Sequence, residues 1–189
     1  MTCVAVLFAP GFEEIEAITI VDILRRAGIK TQTVGLNEKQ VQGAHNMLVT
    51  TDTTLEEVYE TAFDALILPG GAPGYIHLRN DKRVLDLINK MYKENRLVAA
   101  VCASPAVLSD AGILNGKNCT IYPGMQEELK KGGGQPVDDL VVVDGNVVTS
   151  QGPATSILFA LEVVSILAGS SVSESVKEKT LLPLIIGNN

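Results

Sequence analysis

The sequence predicts an α/β fold, a mostly parallel sheet with helices on both faces, and two observations carry that prediction. Short β-rich apolar runs alternate with helical patterns along the chain, the order of strands joined by crossover helices. The runs are apolar at consecutive positions, as in Leu97-Val98-Ala99-Ala100-Val101, which reads as a buried strand. At 189 residues the chain suits one domain, 1–189, able to bury about 70% of its unfolded surface.

The elements follow in order. Thr2–Phe8 is an apolar first strand. Glu13–Ala27 reads as a helix, with Glu13 and Glu14 in its first turn, Arg25 and Arg26 in its last, and Gly28 closing it. Lys30–Leu36 is a second strand, and the polar excursion Gln40–Thr51 reads as a hairpin or edge strand. Phe63–Pro69 is a buried strand ending in Gly70-Gly71, and Lys82–Glu94 is an amphipathic helix. Leu97–Val101 leads through Cys102 into a helix at Pro105–Ala111, where proline fits the first turn because its missing N–H would be unpaired there in any case. Leu140–Val143 and Asn146–Thr149 form a hairpin through Asp144-Gly145. Ser156–Ala168 is a helix, and Ser173–Leu182 is a last helix ended by Pro183.

Composition removes several function classes. The net charge is −7, and no basic cluster exceeds a Lys-Lys or Arg-Arg pair, so nucleic acid and anionic membranes are not expected as primary partners. The N-terminal run has no basic flank and leads straight into Glu13-Glu14, so it reads as a strand, not a signal peptide. The uncharged stretch from Gly145 to Leu161 is interrupted by Ser, Thr, Gln and Pro and does not read as a membrane span. Cys3, Cys102 and Cys119 lack metal-site spacing and are odd in number, so neither a disulfide framework nor a metal site is expected, and a cytoplasmic location fits.

Cys102 is the residue that carries chemistry. It sits at a strand-to-helix corner among small neighbours, aimed at unpaired backbone N–H groups, where a thiol is expected to ionise more easily. Gly70-Gly71 ends another buried strand, so its N–H groups can approach a ligand and, with that of Ala103, hold an oxyanion. Glu16 lies on one helical face with Ile20 and Ile23, either at the edge of a solvated face or as a buried acid with a raised pKa. Cys3 lies in an apolar run and reads as a core residue; Cys119, at an expected strand start, reads as structural. His45 and His77 read as surface or loop residues.

Several motifs in order, Ala9-Pro10-Gly11-Phe12-Glu13-Glu14-Ile15-Glu16, Leu68-Pro69-Gly70-Gly71, Ala99-Ala100-Val101-Cys102-Ala103-Ser104-Pro105 and Thr149-Ser150-Gln151-Gly152-Pro153, resemble the ThiJ/PfpI superfamily in its DJ-one branch. The resemblance implies a flavodoxin-like three-layer sandwich and a homodimer. It implies Cys102 as reactive cysteine, Glu16 as its carboxylic-acid partner, and backbone donors at Gly71 and Ala103. Members of the branch are described as glyoxalase III or protein deglycase enzymes, as peroxide-responsive proteins and as chaperones. The expected activity is therefore cofactor-free and metal-free, on small dicarbonyls such as methylglyoxal or on glycated thiols and amines. The alternative is a redox sensor or chaperone controlled by Cys102 oxidation.

The sequence departs from relatives at one position. Many carry a His just before a Pro; here it is Tyr122, a hydrogen-bond donor but a poor base at neutral pH. A Cys102–Glu16 dyad is expected, with Tyr122 and Gly70 as substrate contacts. Ala103 stands where the peptidase branch has His, so protease activity is not expected. Glutamine amidotransferases need a later His-x-Glu, and no His follows His77.

Overall fold

The structure, a computed structural model, describes residues 2–187. The chain runs β1 (Cys3–Phe8), α1 (Glu14–Arg26), β2 (Lys30–Gly35), β3 (Gln40–Gln42), β4 (Leu48–Thr50), β5 (Thr53–Thr54), α2 (Leu55–Val58) and β6 (Ala65–Leu68). It continues through α3 (Gly74–Asn80), α4 (Lys82–Lys93), β7 (Leu97–Val101), α5 (Pro105–Asp110), β8 (Asn118–Cys119), α6 (Gln126–Lys131) and β9 (Gln135–Pro136). It ends with β10 (Val141–Asp144), β11 (Val147–Ser150), α7 (Ser156–Ala168), α8 (Ser170–Lys179) and α9 (Pro183–Ile186).

The main sheet has strand order β10-β11-β7-β6-β1-β2-β5, antiparallel only where β10 meets β11. Side chains alternate across it. Val4, Val6 and Phe8 face the layer of α1 and α7, while Ala5 and Leu7 face the layer of α4 and α5. On β7, Ala99 and Val101 face the first layer, Val98 and Ala100 the second. This is the three-layer α/β sandwich expected. In α4 the buried residues Val84, Leu87, Ile88 and Met91 recur at helical spacing.

From β1 the chain moves to β2 on one side and later to β6 on the other. The order therefore reverses at β1, and the carboxyl ends of the strands there are where such sheets place a ligand site. Among the described residues no helix is long and apolar enough to cross a membrane.

Some elements differ from the sequence-based expectation. Gln40–Thr51 does form a hairpin, as a small separate sheet of β3 and β4. Cys119 ends β8 instead of starting a strand. Cys3 opens β1 and is partly buried, packed against the core cluster on the α4 and α5 side, and its N–H donates to Asp64 Oδ2 at 2.8 Å. The last long helix begins earlier, at Ser170, directly after Gly169 at φ +95°. Pro183 opens α9 and does not simply end the preceding helix, because Leu181 at φ +59° breaks the chain first. The short helices α2, α3 and α6 were too brief for periodicity to mark.

Candidate active site

Three loops meet at the strand ends: residues 9–13 after β1, 69–73 after β6 and 102–104 after β7. The ladders hold them level, pairing Val6 with Ile67 and Leu68 with Ala100. At the third loop Cys102 takes φ +62°, a left-handed conformation that costs a non-glycine residue about 1–3 kcal/mol. Two hydrogen bonds hold it: Cys102 N–H donates to Ser150 O at 2.9 Å, and Tyr122 N–H donates to Cys102 O at 2.8 Å. The sharp turn into α5 is the corner the sequence implies.

Glu16 is fully buried, on the stripe it shares with Ile20 and Ile23. Its Oε2 accepts from Gly70 N–H at 2.7 Å. Its Oε1 is buried without a hydrogen-bond partner, and the Cys102 thiol lies beside the carboxyl. Gly70 makes the contact between the two side chains possible. A Cβ there would lie 2.6 Å from Cys102 Cβ and 2.8 Å from Glu16 Oε2. The backbone N–H groups of Gly71 and Ala103 face the Cys102 sulfur. Among the described residues neither N–H has a backbone carbonyl partner.

Burial pushes Glu16 up to about 7, against the hydrogen bonds of the Cys102 thiol and Gly70 N–H, with a further push from Glu13. Burial, together with the Glu16 carboxylate beside it, pushes the Cys102 thiol up to about 12, against the pull of the N–H groups of Gly71 and Ala103. These effects oppose the ionisation that the corner alone favours. Desolvation and the acid beside it outweigh the backbone donors. The dry pair accommodates one negative charge readily and two with difficulty, so its protons come off as a coupled pair. The Glu16 carboxyl, beside the thiol, is the group placed to exchange a proton with the sulfur.

The other expected residues fall out as follows. Gly70 gives its N–H to Glu16, so that N–H is engaged within the site. Tyr122 is half exposed, tied to Cys102 through its backbone, and its ring edge lies 3.4 Å from where a Cβ on Gly152 would sit. Cys119 is buried, with its thiol pushed up to about 11 by burial, as a structural cysteine should be. His45 is exposed but not idle: its Nδ1 lies 2.9 Å from Glu14 Oε2, and this contact raises its pKa. Glu13, Glu14 and His45 bring their polar atoms within 4.8 Å of one another. Glu14 already accepts the N–H groups of His45 and Met47, so a structural ion pair accounts for the cluster. Two residues escaped the sequence reading: Ser150, whose carbonyl holds the Cys102 backbone, and Ser104, which is fully buried and donates to Pro69 O at 2.6 Å. A serine before proline signals a helix cap and conceals such a long-range partner.

The family model of the DJ-1/PfpI family matches residues 2–166. Protein dj-1beta of Drosophila melanogaster is 39% identical over 178 residues, covering 94% of this chain and 95% of the relative. A protein of Pyrococcus abyssi named a deglycase is 37% identical over 165 residues, covering 87% of this chain and 98% of the relative. The crystal structure of Drosophila melanogaster DJ-1beta superposes with a TM-score of 0.92 at 38% identity, covering 95% of this chain and 97% of that one.

Proposed function

The chain belongs to the DJ-1/PfpI family, and from that premise we propose that it is a cofactor-independent glyoxalase III or deglycase-type enzyme acting on methylglyoxal and related dicarbonyls. The observation that carries the reading is a nucleophile between two kinds of partner. On one side stand the unengaged N–H groups of Gly71 and Ala103; on the other stands Glu16, buried and pushed up to about 7. A base with a pKa near the working pH is the efficient choice for moving protons. A deglycase-named relative supports small reactive carbonyls, free or attached to thiols and amines, as the substrate class.

The sulfur of Cys102 bonds to the aldehyde carbon, and the thiol proton passes to the Glu16 carboxylate. The N–H groups of Gly71 and Ala103 hold the oxyanion, which then takes that proton from Glu16 to give a neutral hemithioacetal. Glu16 next removes the proton on the former aldehyde carbon and returns it to the adjacent carbon, while the hydroxyl proton moves to the neighbouring oxygen. The product is a lactoyl thioester, isomeric with the hemithioacetal. Water adds to its carbonyl, the carbon–sulfur bond breaks, and lactate leaves as the thiol regains a proton. No oxidant or reductant enters. Tyr122 has no proton to move in this scheme.

A second reading, a sensor or redox-controlled chaperone, draws on the buried Glu16 carboxyl beside Cys102. Protonated, it would donate to an oxygen of the sulfinate formed when two equivalents of peroxide oxidise Cys102. Counting lactate per protein separates the readings: many turnovers, lost in Cys102→Ser, support the enzyme. A single oxidation per protein without turnover supports the sensor.

We further propose that residues 1–189 form one domain, that the protein resides in the cytoplasm, and that it is a homodimer. Exposed Ile15 and Ile18 on α1, with Met47 and Leu48 in the hairpin that Glu14 fastens to α1, supply the apolar face for the dimer. Sedimentation at micromolar concentration checks this; a 20.1 kDa species rejects it.

A further inference from the structure

A serine in the N-cap position normally turns its hydroxyl back onto the first helical N–H groups. Ser104 precedes Pro105 at the start of α5, yet its side chain makes no cap bond. Its hydroxyl crosses instead to the neighbouring strand end and donates to Pro69 O at 2.6 Å, in a position with no solvent exposure.

The two loops that this bond joins carry the whole backbone side of the site. On one, Pro69 is followed by Gly70, whose N–H holds Glu16 Oε2, and Gly71, whose N–H faces the Cys102 sulfur. On the other, Ser104 follows Cys102 and Ala103, whose N–H also faces the sulfur. The β6–β7 ladder ends at Leu68 and Ala100, before either loop begins. Beyond it, among the described residues, the Ser104–Pro69 bond is the direct hydrogen bond between the loops that does not involve the reacting sulfur. The loops otherwise meet by close packing at Gly70, where a Cβ would lie 3.0 Å from Val101 O.

We propose that Ser104 is a positioning residue: its hydroxyl fixes the spacing between the Gly71 and Ala103 N–H donors and so sets how well both face the sulfur and any oxyanion formed on it. The proposal rests on the reading of Cys102 as nucleophile and deepens it. An oxyanion donor counts only within about 2.7–3.1 Å of the charge it stabilises. A loop free to drift by a few tenths of an ångström loses part of that effect without losing the fold.

Ser109 provides the matched control. It lies on α5, the helix that Ser104 precedes, is buried, and donates its hydroxyl to Glu128 O at 2.7 Å, away from Cys102. Ser104→Ala and Ser109→Ala therefore each remove a hydroxyl that donates to backbone carbonyl oxygen, Pro69 O for Ser104 and Glu128 O with Leu129 O for Ser109. Both are expected to lower stability to urea. Only Ser104→Ala should slow iodoacetamide alkylation of Cys102 at pH 8, by about 3-fold or more, and shift its pH profile upward. With methylglyoxal, Ser104→Ala should lower kcat by about 10-fold with KM within about 2-fold, while Ser109→Ala leaves both unchanged. Ser104→Thr, which keeps the hydroxyl, should keep the wild-type alkylation profile. If Ser104→Ala does not fold, Ser104→Gly takes its place. A wild-type alkylation profile in the folded variant, or equal shifts in the Ser104 and Ser109 variants, overturns the proposal. Absence of dicarbonyl turnover in the wild type would reject the enzyme reading, and the alkylation comparison would still decide the role of Ser104.

Discussion

Replacing Glu16 with Gln should make the protein more stable at neutral pH and leave its stability almost unchanged in acid. The carboxyl is fully buried and its pKa is pushed from 4.5 up to about 7 by that burial. Between these values the unfolded chain has lost the proton and the folded chain keeps it. The folded state then binds more protons, so stability falls as pH rises through this window and levels off above about 7. At about 1.4 kcal/mol per pKa unit, the loss is about 3 kcal/mol. Glutamine has the same shape, can still accept from Gly70 N–H, and places an N–H₂ where Oε1 now lacks a partner. It does not titrate. Urea unfolding of both proteins from pH 4 to pH 8, at one protein concentration, should show a difference near zero at pH 4 that grows to about 3 kcal/mol at pH 8. That corresponds to roughly 6–12 °C in Tm for a domain of this size. A difference that stays flat with pH would mean that Glu16 ionises in the fold as it does in water, and the argument for a buried neutral acid would fail.

Further outcomes follow from the same geometry. Dicarbonyl turnover should rise with pH through about 7 as Glu16 becomes the base, and Glu16→Gln should lose that rise; a rise surviving in Glu16→Gln would assign the titration elsewhere. The Cys102 thiol in Glu16→Gln should titrate below about 12 in an alkylation profile, because the charge that opposes its ionisation is gone. Gly70→Ala forces a Cβ to within 2.6 Å of Cys102 Cβ and should cost about 1–3 kcal/mol in urea unfolding, together with most of the turnover. Tyr122→Phe removes a hydroxyl from a half-exposed ring, and its loss should reduce turnover by about 2- to 12-fold at most; a collapse of about 100-fold or more would place a proton transfer on Tyr122.

The sequence by itself determined the sheet and the corner. Alternating apolar runs and helical periods report burial residue by residue, so β1, β6, β7, α1 and α4 were legible, as was the turn into α5 from Pro105. The stripe of Glu16, Ile20 and Ile23 was legible for the same reason, although whether it met solvent or core was not. Tertiary structure decided the electrostatics and the division of backbone donors. Gly70 reaches Glu16 across 54 positions and Ser104 reaches Pro69 across 35, and a backbone N–H or C=O has no side-chain signature by which a sequence could announce its partner. The sequence shows only part of what sets the Cys102 thiol. A helix start is a local feature and favours the thiolate, whereas desolvation and the acid opposite it arise only when three distant loops close over one sulfur.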